Sequence, residues 1–187
     1  MKICAGWAKG QILKAPKSNE TRPTSAKVKE AIFSILAESV VNARVLDLFS
    51  GTGGLGLEAI SRGASSVHFI ESHGAAYQCL TKNIDELKRR AVRQNLDEPQ
   101  ITARKSEVGK WLSKNQMQFD LIFTDPPYKD TTRWFEKISA QAPRLLTDNG
   151  IWVCESMSNF VPTEVKHVQL FKNRIFGETA IWLWVKS

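Results

Sequence analysis

Asp125-Pro126-Pro127-Tyr128 brings a carboxylate, two rigid imino acids and an aromatic ring into four consecutive residues. The quartet follows the apolar run 119–124 (Phe-Asp-Leu-Ile-Phe-Thr), which reads as a buried strand. Such residues do little for stability at the end of a strand. Neither proline has an N–H, and a residue that precedes proline is held extended. The expectation is a stiff turn whose carbonyls point outward, unclaimed by secondary structure. A planar amine would suit it: carboxylate and carbonyl accept the amine protons, and the tyrosine ring covers the face of the base. The plainer reading is a Pro-Pro loop with a half-buried tyrosine.

Upstream, Val45-Leu-Asp-Leu-Phe-Ser-Gly-Thr-Gly-Gly-Leu-Gly-Leu-Glu-Ala sets Gly51, Gly53 and Gly56 at G-x-G-x-x-G spacing. Glycines at a strand-to-helix turn allow a tight bend and close approach of a ligand to the backbone. Glu71 ends the next predicted strand, where an acid can reach ribose hydroxyls. The spacing alone fits a nicotinamide dinucleotide, and therefore an oxidoreductase. Asp47 argues against that reading, because a pyrophosphate would meet its carboxylate at the strand end. S-adenosylmethionine carries a sulfonium, an ammonium and a ribose, and no phosphate. A hydride-transfer enzyme also has no use for the Asp-Pro-Pro-Tyr turn. The plainer roles are a capping carboxylate for Asp47 and a strand-end charge for Glu71.

These residues need a scaffold that brings several strand ends together. Strand patterns at 44–49, 66–70, 100–103, 119–124 and 151–155 alternate with helical patterns at 55–62, 74–92, 108–112 and 131–142. An earlier helix begins after Pro23, with Thr24 or Ser25 as its N-cap and Val28, Ile32, Ile35 and Leu36 as its apolar stripe. Repeated βα units predict a mostly parallel sheet with helices on both faces, and a ligand site beyond the strands' carboxyl ends. The stretches 165–175 and 179–185, joined at Gly177, read as an antiparallel hairpin. Trp182 and Trp184 alternate there on one packed face.

The chain has 187 residues, enough for a single domain or one domain with a small appendage. No apolar run approaches the roughly 20 residues of a membrane span, and the amino-terminal stretch does not resemble a signal peptide. The expectation is a soluble, cytoplasmic protein that works as a monomer. Cys4, Cys79 and Cys154 are scattered, as are His68, His73 and His167, so neither a disulfide framework nor a metal site is expected. The formal net charge is +7, which suits a polyanionic partner such as nucleic acid. Lys2, Lys9, Lys14, Lys17, Arg22, Lys27 and Lys29 are opposed by only Glu20 and Glu30 in the first thirty residues. Of these, Lys9, Lys14 and Arg22 are the expected phosphate contacts. Lys88-Arg89-Arg90 and Arg93, near a helix end, read as a solvated, dipole-complementing face.

With these residues assembled, the chain resembles the bacterial small-subunit ribosomal RNA guanine-N2 methyltransferases over nearly its whole length. The likeness lies in Ile3-Cys-Ala-Gly-Trp-Ala-Lys-Gly, in Thr21-Arg-Pro-Thr-Ser-Ala-Lys-Val-Lys-Glu-Ala-Ile-Phe, in the glycine turn, and in Ser61-Arg-Gly-Ala, Asp125-Pro-Pro-Tyr and Phe176-Gly-Glu-Thr. The resemblance implies a Rossmann-like class I methyltransferase fold, α/β, with a seven-stranded, mostly parallel sheet and an antiparallel C-terminal hairpin. That domain would occupy 23–187, after a basic hairpin or flexible extension at 1–22. It implies S-adenosylmethionine as cofactor, held by Asp47, Ser50, Gly51, Thr52, Gly53, Glu71 and Ser72, and no metal. Such enzymes usually place Asp or Asn beside the cofactor adenine, where this chain offers Ser106 or Glu107. The implied partner is 16S rRNA or the assembling small ribosomal subunit, and the implied catalytic residues are Asp125, Pro126, Pro127 and Tyr128. DNA adenine methyltransferases share the glycine and Asp-Pro-Pro-Tyr motifs, but they normally carry extra sequence to read a duplex site. A non-catalytic RNA-binding module would leave the turn unexplained.

Overall fold

A computed structural model describes residues 1–16 and 25–186. The strands are β1 (Arg44–Leu48), β2 (Ser66–Glu71), β3 (Gln100–Lys105), β4 (Phe119–Thr124), β5 (Leu146–Met157), β6 (Val168–Phe176) and β7 (Thr179–Lys186). The helices are α1 (Ala26–Leu36), α2 (Gly54–Ser61), α3 (Gly74–Arg93), α4 (Val108–Leu112), α5 (Thr131–Ser139) and α6 (Ala142–Leu145). One sheet holds all seven strands in the order β3-β2-β1-β4-β5-β7-β6. The first five run parallel; β7 is antiparallel to both β5 and β6. The expected mostly parallel sheet with its C-terminal hairpin is the sheet the chain forms. Strand order reverses between β1 and β4, so the glycine turn and the Asp-Pro-Pro-Tyr turn flank the switch point, where α/β sheets bind their ligands.

Two apolar clusters cover the two faces. α1, α2 and α3 pack on one with Val45, Leu121 and Ile181; α4, α5 and α6 pack on the other with Leu46, Ile122 and Trp182. Trp152 stacks on Trp184 at 4.6 Å, and both Trp182 and Trp184 lie in the second cluster, as their alternation predicts. Gly56 shows why α2 approaches the sheet so closely: a Cβ there would stand 2.3 Å from the Phe69 ring.

Local signals place most elements. Ser25 caps α1 by accepting from the Val28 N–H at 3.2 Å. The helix expected over 131–142 ends earlier, at Ser139, and a separate short helix not expected, α6, follows with Pro143 in its first turn, where a missing N–H costs nothing. β5 is longer than the expected 151–155 and begins at Leu146. Pairing with β4 jumps from Phe119↔Leu146 to Leu121↔Ile151, around Asn149 at φ 62°.

The amino-terminal residues depart most from expectation. Ile3 and Gln11 pair through their backbones at 3.0 Å, as the hairpin reading implies. The described part of the expected extension is nevertheless packed: Ile3, Ala8 and Leu13 are buried in the same cluster as α1 and α2. The boundary expected between 22 and 23 falls outside the described residues.

The segment is fastened by Glu58 on α2. Its carboxylate accepts from the N–H groups of Cys4 (2.7 Å) and Ala5 (2.9 Å), from Lys29 Nζ (2.9 Å) and from Arg62 Nε (2.9 Å). Lys29, counted among the basic residues facing a polyanion, is instead buried and also donates to the Lys2 carbonyl at 2.6 Å. Burial raises the Glu58 pKa, but the Cys4 amide, Lys29 and Arg62 more than offset it, so the group lies below its ordinary 4.5. Its contribution is therefore full above that pH and is lost as the pH falls through the lowered value. Glu58→Gln leaves the Lys29 ammonium buried without a counter-charge and is expected to cost about 3 kcal/mol. Urea unfolding at pH 7 measures this, and the gap between the two proteins narrows on acidification.

Candidate active site

Three carboxylates converge at the C-terminal ends of β1, β2 and β4. Asp47 is buried near the end of β1, and its Oδ2 accepts from the Gly56 N–H at 2.9 Å. Burial, foremost, raises its pKa from 3.8 to about 8; the Gly56 amide opposes this, while the charges of Asp125 and Glu71 add to it. Glu71, also buried, accepts from the Gly51 N–H at 2.7 Å and the His73 N–H at 2.6 Å. It thereby pins the glycine turn to the loop that opens α3. Asp125 directly follows β4 and is half-buried.

The glycine turn is held open from below. Ser50 Oγ reaches the carbonyls of Asp47 (2.7 Å) and Ile70 (3.1 Å), tying the turn to both neighbouring strands. Gly51 and Gly53 have φ of 55° and 86°, values that side-chain-bearing residues adopt at a cost. A Cβ on Gly51 would meet nothing within 4 Å, so the backbone there faces open space. Ser72 is exposed on the loop after β2.

The Asp-Pro-Pro-Tyr turn is stiff, though its carbonyls are not all unclaimed as expected. The Pro127 carbonyl accepts from the Asp130 N–H at 2.8 Å, and the Tyr128 carbonyl from Thr131 Oγ1 at 3.0 Å. Among the hydrogen bonds of the described residues, none ends on the Pro126 carbonyl. Pro126 is buried and Pro127 exposed. The Tyr128 hydroxyl lies 3.2 Å from Thr179 Oγ1 and donates to Glu155 Oε1 at 3.5 Å, which ties the ring to β5 and β7. Beneath the turn, burial raises the Cys154 thiol to about 12, so it offers no nucleophile.

The remaining predicted positions are more dispersed. Glu107 caps α4, its carboxylate accepting from the Lys110 N–H at 2.9 Å; Ser106, half-buried, hydrogen-bonds the Glu107 carbonyl. Lys9 and Lys14 are exposed on the amino-terminal segment, and Arg22 lies outside the described residues. Arg90 of α3 donates to the Lys9 carbonyl at 3.0 Å, which brings part of the second basic group beside the first. Lys88, Arg89 and Arg93 form surface ion pairs with Glu98 and Glu86. Among the described residues no group of His, Cys, Asp and Glu is placed to hold a metal ion, and no helix is long and apolar enough to cross a membrane.

Asn83 escaped the sequence reading. It is buried on α3, accepts from the Lys14 N–H at 2.8 Å, and donates to the carbonyls of Lys14 (3.0 Å) and Thr52 (2.9 Å). It therefore couples the amino-terminal segment to the glycine turn. The available signal was a polar residue in the apolar stripe of Leu80, Ile84 and Leu87, where an unpartnered amide would be costly. Asn83→Ala leaves three backbone groups without this partner and is expected to destabilise the fold by about 2 kcal/mol. It should also weaken binding at the glycine turn several-fold, measured by calorimetry with the turn's ligand.

A sheet in this order, with a glycine turn after its first strand and an acid closing its second, defines the Rossmann-like methyltransferase class. The family model described as Conserved hypothetical protein 95 matches residues 1–185, and the chain belongs to that family. It is 31% identical over 194 residues to ribosomal RNA small subunit methyltransferase D of Escherichia coli K12, covering 100% of this chain and 90% of that protein. It is 32% identical over 164 residues to the Haemophilus influenzae protein of the same name, covering 88% of this chain and 79% of that one. A solved hypothetical protein from Thermus thermophilus superposes with TM-score 0.80 at 26% identity, over 98% of each chain.

Proposed function

We propose that the chain is an S-adenosylmethionine-dependent methyltransferase acting on the exocyclic N2 amine of a guanine in small-subunit rRNA. The observation that carries this is the convergence of Asp47, Glu71 and Asp125 around an open glycine turn at the switch point. The donor set fits the cofactor chemically. Asp47, which burial keeps protonated up to about pH 8 in the empty site, becomes a counter-charge once an ammonium lies beside it, and Glu71 suits a ribose diol. Gly51 exposes backbone without a side chain in the way. Ser50, Thr52, Gly53 and Ser72 complete the cradle, with Ser106 or Glu107 at the adenine.

When bound, S-adenosylmethionine supplies an electrophilic methyl group on a sulfonium. The protein's residues prepare the other reactant. The guanine amine is a weak nucleophile because its lone pair is delocalised into the ring. Asp125 and the Pro126 carbonyl accept hydrogen bonds from its two N–H groups, which favours a pyramidal nitrogen held in line at about 3 Å. Asp125 also offsets the positive charge that grows on nitrogen. Pro127 sets the direction of the turn, and Tyr128, fixed at its hydroxyl end, gives the extruded base a stacking surface worth about 1–3 kcal/mol. That nearly balances the few kcal/mol needed for extrusion. Lys9, Lys14 and Arg22 contact phosphates without reading sequence.

The test is mass spectrometry of small-subunit rRNA nucleosides from cells with and without the protein. Loss of N2-methylguanosine on deletion supports the reading. Loss of N6-methyladenosine instead assigns the adenine amine, and an unchanged spectrum overturns it.

A further inference from the structure

The outer edge of the sheet carries a feature that the site does not use. β6 is the terminal strand, and three large apolar side chains are exposed along its nine residues: Leu170 (42%), Phe171 (44%) and Ile175 (58%). Interleaved with them are Lys172, Asn173 and Arg174. Register places the two cations on one face. Lys172 pairs with Leu183, Arg174 with Ile181 and Phe176 with Thr179, and cross-strand partners share a face. Leu183 and Ile181 belong to the cluster on the α1 side. On that side Lys27 of α1 lies over the Phe176 ring, 5.9 Å from its centroid. Lys27, Arg174 and Lys172 therefore follow one another along the strand, alternate strand residues being ~6.6 Å apart. The acids near this row are Glu30 on α1 and Glu178 in the β6–β7 turn.

The row starts at the active site. Thr179, which pairs with Phe176, is the residue whose hydroxyl lies 3.2 Å from the Tyr128 hydroxyl. A polymer leaving the Tyr128 stacking surface at this end of the sheet meets Phe176 first and then the two cations.

We propose that β6, with Lys27, is the track for an extended single-stranded RNA segment adjoining the target nucleotide. Lys27, Arg174 and Lys172 meet its phosphates, and Phe171, exposed at the register shift next to Lys172, stacks on a base. This rests on the RNA methyltransferase reading. A positively charged strip beside an exposed ring is the combination that binds single strands without sequence preference. An added protein strand fits less well: the register shift between Leu170 and Lys172 bends the edge, and charged side chains oppose edge pairing.

The test compares the parent protein with a Lys172→Ala/Arg174→Ala variant and with Phe171→Ala. The probe is an in vitro transcript of small-subunit rRNA, titrated over a range of salt. Removing two phosphate contacts reduces the slope of log K against log salt by about 1.4. Phe171→Ala weakens binding about tenfold and leaves the slope intact. Calorimetry with S-adenosylmethionine, unchanged in all three proteins, shows that the fold and the cofactor site persist. Variants with parental affinity and slope overturn the track, and so does a change confined to self-association in sedimentation, which would make a second copy the occupant. Failure of the broader reading looks different: the parent itself then neither binds the cofactor nor transfers a methyl group.

Discussion

Asp125→Ala lowers methyl transfer to small-subunit rRNA by about 10³-fold, while affinity for S-adenosylmethionine stays within a few-fold of the parent. The size follows from the role. Deleting one preorganised group aimed at developing charge typically costs about 10²–10³ in turnover, and here the lost group also helps to orient the amine. Asp125→Asn separates the two contributions. Its amide oxygen can still accept a hydrogen bond from the proposed target amine but brings no negative charge, so its activity falls between those of parent and alanine variant. The cofactor is spared because Asp125 belongs to the turn after β4, whereas the glycine turn follows β1 and Glu71 closes β2. Single-turnover assays with labelled methyl donor, paired with calorimetry, measure both quantities. Parental turnover in the alanine variant would remove Asp125 from the mechanism.

Asp47→Asn makes the ligand-free protein more stable at pH 8 than the parent, and leaves the two nearly equal at pH 4. Burial holds the Asp47 carboxyl at about 8 instead of 3.8. Below 3.8 the folded and unfolded chains both carry the proton, and the group makes no difference. Between 3.8 and 8 only the folded chain keeps it, so each pH unit gained favours unfolding by about 1.4 kcal/mol. Above 8 the full penalty, of order 5 kcal/mol, is in place. Asparagine keeps an oxygen for the Gly56 N–H and removes the titration. Urea midpoints at pH 4, 6 and 8 check this; a parent whose stability is flat over that range would show that Asp47 is ionised without cost. The same group predicts a functional loss. An ammonium beside Asp47 draws the proton off, so cofactor binding near pH 7 releases protons in the parent and none in the variant. Calorimetry in buffers of different ionisation enthalpy reads that difference.

How much of this was legible in the sequence depended on whether a residue's reason is local. The strand-and-helix alternation, the glycine spacing and the Ser25 cap are short-range patterns, and they predicted β1 to β4, α2, α3 and the α1 start closely. Asp47, Glu71 and Asp125 were singled out because each ends a strand, and strand ends meet in a parallel sheet. Lys29 and Glu58 were not legible as a pair, since the stretch of chain between them says nothing of proximity. Lys29 looked like one more surface cation until its partner was seen. The end of α5 at Ser139 and the four-residue α6 beyond it were not legible, because one helical turn is too short to show a periodicity. The extent of β5 was hidden by Asp148, Asn149 and Gly150, turn-forming residues that the strand carries as an irregularity.

Glu71 has a kinetic corollary. Its two oxygens are already held by the amides of Gly51 and His73, and each keeps a lone pair for a newcomer. The loop thus needs no rearrangement before a small molecule arrives. Stopped-flow traces of its association should be single exponentials whose rate rises in proportion to ligand concentration, with no plateau from a slow gating step.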